Sequence, residues 1–251
     1  MSESKPLSTK AIPPNPTKGV IIAFDLDGTL IDTAPDLIAT LNEIFARNDV
    51  PPLPYETGRA MIGGGVKTLL EKGLTEQKRA FTPDDLDRLF RDYLAHYSAH
   101  IADASRPFPG LDQALDTLAA QGFLFAVCTN KLERLAKQLL DALGMSSRFG
   151  AICGQDTFGT PKPHPDMLRK TVTKAGGDPA RCIMVGDSVT DIDTAKAAGV
   201  PVIAVDSGYT ETPVSHFNPD RIISHFDDLP AAIAALLPEC PVPAKNAINS
   251  G

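Results

Sequence analysis

The stretch Gly19-Val20-Ile21-Ile22-Ala23-Phe24-Asp25-Leu26-Asp27-Gly28-Thr29-Leu30 constrains this chain more than any other. Its short apolar run is rich in Val and Ile and shows no clean alternation, so it reads as a strand buried on both faces. Such a strand needs a layer of structure on each side, which favours a parallel sheet between helices. The carboxyl end of the strand then delivers Asp25 and Asp27 to the sheet edge where open α/β folds bind ligands. Two carboxylates held there repel each other unless a cation or a shared proton relieves the conflict. Taken alone, the pair could equally be a solvated Asp-x-Asp-Gly turn. The rest of the chain decides between these readings.

Residues 1–18 are polar, carry Pro13, Pro14 and Pro16, and read as a flexible leader. After the first strand, residues 34–106 hold no strand candidate before about Asp103. Helices are expected over 36–48, near 56–61, near 66–73 and from Pro83 to about Ile101. In the last of these, Leu86, Leu89, Phe90, Tyr93, Leu94 and Tyr97 form one stripe that reads as core packing. Pro107, Pro109 and Gly110 then break the chain. Beyond them, helices at 111–121, 132–143, 165–175, 190–198 and 227–237 alternate with strands at 123–128, 151–153, 181–185, 201–205 and 221–223. That rhythm predicts right-handed βαβ crossovers and a Rossmann-like three-layer α/β/α core with a parallel sheet. Residues 19–33 and 107–238 would form this core, 34–106 an inserted helical-bundle cap over its ligand edge, and 239–251 a disordered tail.

Composition narrows the function classes. The chain has 251 residues, enough for one large domain with an insertion. No apolar stretch approaches the roughly 18 residues of a membrane span, and the N-terminus lacks the apolar segment of a signal peptide. A net charge of −7 without a basic block argues against nucleic acid as a partner. Cys128, Cys153, Cys182 and Cys240 form no C-x-x-C pair, and Cys128 and Cys182 sit in apolar runs as buried reduced thiols. A cytoplasmic, non-membrane protein, monomer or homodimer, is expected.

The strands repeat one design, an apolar run ending in a polar group. The first ends at Asp25, another at Thr129-Asn130-Lys131, and a third at Gly186-Asp187-Ser188. A parallel sheet gathers these ends along one edge. Lys162 lies in the loop Gly159-Thr160-Pro161-Lys162-Pro163-His164-Pro165, where prolines on both sides restrict its backbone. Carboxylates and backbone carbonyls are hard ligands that suit Mg²⁺, whereas no Cys and His cluster suggests zinc. Mg²⁺ prefers few protein carboxylates, several waters and a phosphate. Thr129, Asn130, Lys162 and the backbone N–H groups around Leu26 and Asp27 could hold that phosphate. The chemistry implied is phosphoryl transfer, with one carboxylate attacking phosphorus and the other handling the proton of the leaving oxygen.

Asp25-Leu26-Asp27-Gly28-Thr29 resembles the first motif, D-x-D-G-T, of the haloacid dehalogenase superfamily. Thr129 resembles its second motif, Lys162 its third, and Gly186-Asp187-Ser188-x-x-Asp191 its fourth, in the family's order from about residue 20 to 237. The resemblance implies Asp25 as nucleophile and Asp27 as acid and then base. It implies Asp187 on Mg²⁺ with the Asp25 carboxylate and the Asp27 carbonyl. Thr129 with Asn130 would hold phosphoryl oxygens, and Lys162 would neutralise charge. Asp191 would steady a metal-bound water or Lys162, or serve as a helix N-terminal residue, while Asp32 and Asp193 remain surface or capping residues. Asp27 argues for phosphate chemistry, because the dehalogenase members lack an acid there.

The opening through Ala34-Pro35-Asp36-Leu37, Thr129-Asn130-Lys131 and Lys162-Pro163-His164-Pro165-Asp166 is similar to bacterial phosphoglycolate phosphatases. That implies hydrolysis of a small phosphomonoester, 2-phosphoglycolate first. Sugar phosphatases, pyrophosphatases and a β-phosphoglucomutase-like mutase share parts of these patterns. A catalytically silent phospholigand-binding protein is disfavoured, since it has no chemical reason to keep both aspartates. In the cap, Arg59, Gly64, Gly65 and Lys67 are candidates for reading the non-phosphate end. The stretch 63–68 is not a P-loop, because its Lys does not follow the last Gly directly and no strand precedes it. His164, between two prolines, is expected to be structural.

Overall fold

The computed structural model describes residues 19–210 and 212–237. The leader expected over 1–18 and the tail over 239–251 lie outside these residues. In chain order the first elements are β1 (Ile21–Phe24), β2 (Ile31–Asp32), α1 (Ala34–Ala46), α2 (Tyr55–Ala60), α3 (Val66–Glu76), α4 (Pro83–Ala99) and β3 (Arg106–Pro107). There follow α5 (Leu111–Ala120), β4 (Leu124–Cys128), α6 (Glu133–Ala142), β5 (Ala151–Cys153), α7 (Pro165–Lys174) and β6 (Cys182–Gly186). The last are α8 (Val189–Ala198), β7 (Val202–Val205), β8 (Arg221–Ile223) and α9 (Leu229–Leu236).

Six strands form one sheet in the order β5-β4-β1-β6-β7-β8, and every neighbouring pair is parallel. Phe24 pairs with Val127 on one side and Val185 on the other, so the ends of β1, β4 and β6 come level. The chain leaves β1 toward one edge and returns to β6 for the other. The switch point of this α/β sheet therefore falls between β1 and β6, where a ligand crevice is expected. Alternate residues of β1 enter different cores. Ile22 and Phe24 join Phe125, Leu115 and Leu139 on one face, and Ile21 and Ala23 join Met167, Val172 and Ile192 on the other. Each fully buried Ile contributes about 1.5–3 kcal/mol, which is why β1 carries no polar residue before Asp25.

Helices α1 to α4 lie between β2 and β3, which pair antiparallel at Ile31 with Pro107 and Asp32 with Arg106. This two-stranded link was not expected, since two residues are too few to show any period. Tyr93 of α4 donates its buried hydroxyl to the Leu37 carbonyl of α1 at 2.9 Å. Thr82 starts α4 with a reciprocal capping box to Asp85 and Pro83 behind it, an arrangement worth about 1 kcal/mol. Helix α1 begins earlier than expected because Pro35 suits a first turn. The expected helix 227–237 divides into a short 3₁₀ turn and α9. No described helix is long and apolar enough to cross a membrane. Cys128, Cys153 and Cys182 are buried and in no disulfide, and burial pushes the Cys128 thiol up to about 12.

Candidate active site

The turn after β1 is built to aim two carboxylates differently. The Leu26 carbonyl accepts from the N–H groups of Leu30 and Ile31, and Gly28 takes a positive φ of 83°. Asp25 Oδ1 accepts from Leu26 N at 2.7 Å and lies 2.9 Å from Lys162 Nζ. Leu26 N–H, expected to serve a phosphate, is therefore bonded to the Asp25 carboxylate. Asp27 Oδ1 accepts from Thr33 Oγ1 at 2.7 Å and from Lys131 Nζ at 2.8 Å.

Lys162, Asp191 and Asp187 are buried beside Asp25. Lys162 Nζ donates to Asp191 Oδ1 at 2.6 Å, while Asp191 Oδ2 accepts from Ser188 Oγ and N in the capping box of α8. Asp191 thus both starts α8 and pairs with Lys162. Asp187 accepts from Thr29 Oγ1 at 2.8 Å and from Tyr209 N at 3.1 Å. A Cβ at Gly28 or Gly208 would lie 2.5 or 2.1 Å from Asp187 Oδ2, so both loops need glycine to approach it.

The Asn130 side chain is bonded to the Lys162 main chain. Its Oδ1 accepts from Lys162 N at 2.9 Å and its Nδ2 donates to Lys162 O at 3.1 Å. The amide clamps the lysine loop, whose Lys162–Pro163 peptide is cis. Thr129 is buried, and its Oγ1 accepts from Lys131 N at 3.1 Å, leaving its proton available to a ligand. His164 is structural as expected, since its ring accepts from Asp166 N at the start of α7.

Carboxylate oxygens of Asp25, Asp187 and Asp191 all lie within 4.8 Å of one another. Burial pushes the Asp187 carboxyl up to about 8, helped by the Asp191 and Asp25 charges. Burial likewise pushes Asp25 up to about 6, although Lys162 pulls it down. Burial would lower the Lys162 ammonium, but Asp191 and Asp25 overcome that and hold it above the ordinary lysine range. Four carboxylates, at 25, 27, 187 and 191, face two ammonium groups, Lys131 and Lys162. This surplus of negative charge on hard oxygens fits a divalent cation such as Mg²⁺.

A cavity of about 380 Å³ opens above this cluster, between the strand ends and the cap. Asp25, Asp27, Thr129, Asn130, Lys162 and Asp187 line its floor, and Gly63, Gly64 and Gly65 line its cap side. The other two cap candidates point elsewhere. Arg59 donates to the carbonyls of Ser207 and Gly208 and lies 5.0 Å from the Tyr209 ring centroid. Lys67 pairs with Asp87 on the cap surface, both about half exposed. Their direction depends on tertiary partners that no local pattern encodes. Asp32, expected as a surface or capping residue, is partly buried, takes the Tyr209 hydroxyl at 2.8 Å and does not cap α1.

The cavity holds charged groups that sequence reasoning passed over. Lys131 lines it, and the motif Thr129-Asn130-Lys131 could have flagged that residue. Lys72 lines it too, three residues beyond Leu69 on the cavity face of α3, a spacing that was readable. Tyr97 packs in the core as its stripe predicts, and its hydroxyl in addition accepts from Lys131 Nζ at 2.8 Å. Tyr209 carried no signal.

The family model of haloacid dehalogenase-like hydrolases matches residues 22–205. A phosphoglycolate phosphatase of Mesorhizobium japonicum is 47% identical over 217 residues, spanning 86% of this chain and 96% of that protein. One of Caulobacter vibrioides is 44% identical over 90% of this chain and 95% of its own length. The crystal structure of a predicted phosphoglycolate phosphatase from Haemophilus somnus superposes with a TM-score of 0.80 at 29% identity, covering 86% of this chain and 98% of that one. With a match that runs from β1 to the end of β7 and relatives alike over nearly their whole length, this chain belongs to the haloacid dehalogenase-like hydrolases.

Proposed function

We propose that the protein is a Mg²⁺-dependent phosphatase that hydrolyses 2-phosphoglycolate to glycolate and phosphate through a phosphorylated Asp25. The observation that carries this reading is the contrast between the two aspartates. Asp25 sits in the acidic cluster against Lys162, while Asp27 stands apart on Thr33 and Lys131 with the cavity before it. The relatives named phosphoglycolate phosphatase support the choice of ester.

In the first step an Asp25 oxygen attacks phosphorus and the ester P–O bond breaks. Asp27, protonated, gives its proton to the leaving glycolate oxygen. In the second step Asp27 takes a proton from water, whose oxygen attacks phosphorus, and the acyl phosphate releases phosphate and free Asp25. Lys162 lies against Asp25 and offsets the charge that builds there, and the Thr129 hydroxyl donates to a phosphoryl oxygen. Asp25, Asp187 and the Asp27 carbonyl would hold Mg²⁺, with Asp191 fixing Lys162 from behind. When bound, Mg²⁺ supplies positive charge that brings an anionic phosphate to an anionic nucleophile.

The carboxylate of the substrate would face the cap. Lys72 is an exposed, charged lining residue of the cap with no hydrogen bond or ion pair among the described residues, and the cap residues Val66, Leu69, Phe90 and Leu94 that also line the cavity are apolar. A panel of 2-phosphoglycolate, sugar phosphates, pyrophosphate and β-glucose 1-phosphate, with and without Mg²⁺, tests the proposal. Metal-dependent release of phosphate, fastest from 2-phosphoglycolate, is expected. Preference for another ester would overturn the substrate assignment, and isomerisation of the glucose phosphate would overturn hydrolysis.

A further inference from the structure

Lys131 is out of place for an ordinary lysine. Its side chain is 6% exposed, and burying an ammonium costs several kcal/mol unless partners compensate. Three groups do so: Asp27 Oδ1 at 2.8 Å, the Tyr97 hydroxyl at 2.8 Å, and the Tyr97 ring, whose centroid lies 4.5 Å away. Its backbone is pinned as well. Lys131 N donates to Thr129 Oγ1, its carbonyl accepts from Gln155 N, and Gly154 leaves room for that approach.

Both donors to Asp27 use the same oxygen, Oδ1, and both lead to the cap. Thr33 immediately precedes α1, and its hydroxyl goes to Asp27 in place of capping that helix. Tyr97, buried on α4 and stacked on Tyr93, accepts a second N–H of the Lys131 ammonium. Asp27 Oδ2 takes no hydrogen bond from the described residues, and Asp27 lines the cavity. A lysine present merely to neutralise charge would have no need of a cap hydroxyl.

We infer that Lys131 is a positioning residue that links the cap helix α4 to Asp27. Through Tyr97 and Lys131 the docked cap fixes Asp27 Oδ1, leaving Oδ2 to exchange the proton with the leaving oxygen. Proton transfer to the substrate is thereby tied to the cap being in place. This inference rests on the phosphatase reading above.

The test compares kcat/KM for two esters, since this quantity reports the steps through departure of the first product. Glycolate is a poor leaving group and needs the acid; p-nitrophenolate leaves without one. Lys131→Met is expected to lower kcat/KM for 2-phosphoglycolate by about 10- to 100-fold, part of what a general acid contributes. For p-nitrophenyl phosphate the loss should be less than about threefold on the same grounds. Tyr97→Phe should show the same contrast more weakly, and the double variant should be no worse than Lys131→Met alone. Should Met fail to fold at this position, Lys131→Gln, which keeps an N–H donor, should show the contrast at reduced size. Equal losses on both esters would make Lys131 a phosphate ligand and overturn the inference, as would no loss or fully additive effects. Wild-type protein inactive on both esters would instead overturn the phosphatase reading itself.

Discussion

Gly28 sets how near the loop after β1 can come to Asp187. It holds φ at 83°, and a methyl group there would sit 2.5 Å from Asp187 Oδ2. Gly28→Ala should therefore strain the turn by about 1–2 kcal/mol and move Asp187, weakening Mg²⁺ binding measured by calorimetric titration; unchanged affinity would contradict the packing described. Lys72 makes a second residue-scale prediction. Lys72→Met should raise KM for 2-phosphoglycolate about fivefold through loss of a charged donor, and leave KM for p-nitrophenyl phosphate in place. Equal KM values for wild type and variant on 2-phosphoglycolate would remove the residue from substrate reading. At this scale the chain was legible where side chains follow from the strand end itself, as at Asp25, Thr129 and Asp187. It was not legible where direction depends on a distant partner. Arg59 is drawn off by the carbonyls of Ser207 and Gly208, Lys67 by Asp87, and Asn130 by the Lys162 main chain.

The loop between β7 and β8 connects elements that the sequence shows as unrelated. The buried Tyr209 hydroxyl accepts from Thr33 N at 2.6 Å and Ala34 N at 3.0 Å and donates to Asp32, while its own N–H holds Asp187. One residue thus ties the start of α1 to the acidic cluster, with Arg59 of α2 lying over its ring. Tyr209→Phe leaves two buried N–H groups without their acceptor and should cost about 1–3 kcal/mol. Denaturant unfolding measures this, and an unchanged midpoint would contradict the role given to the hydroxyl. Longer elements were readable because apolar period and Pro or Gly punctuation agree, as from Pro83 to Ala99. The pair β2 and β3 was not, since Ile31–Asp32 and Arg106–Pro107 are two residues each and pair across the whole length of helices α1 to α4.

For the whole molecule, the fold gathers more negative charge at the site than Lys131 and Lys162 neutralise. Asp187 is raised to about 8 and Asp25 to about 6, so the metal-free folded state holds protons that the unfolded chain has already released. Stability from these groups is present at low pH and is lost as pH rises through those values. Metal-free protein should therefore lose stability from about pH 5 to about pH 8 by more than about 1 kcal/mol, and Mg²⁺ should restore it increasingly toward the alkaline end. Thermal melts with and without Mg²⁺ read this directly; a flat metal-free profile would contradict it. The same surplus of carboxylates was foreshadowed by the repulsion between Asp25 and Asp27, although Asp191 enters it more closely than its sequence position promised. In the proposed mechanism Asp25 carries the phosphoryl group. Rapid acid quenching during turnover of 2-phosphoglycolate with Mg²⁺, followed by peptide mass analysis, should find phosphate on the peptide containing Asp25, and none in an inactive Asp25→Asn variant. Full turnover by Asp25→Asn, or a quenched wild type phosphorylated elsewhere, would contradict it.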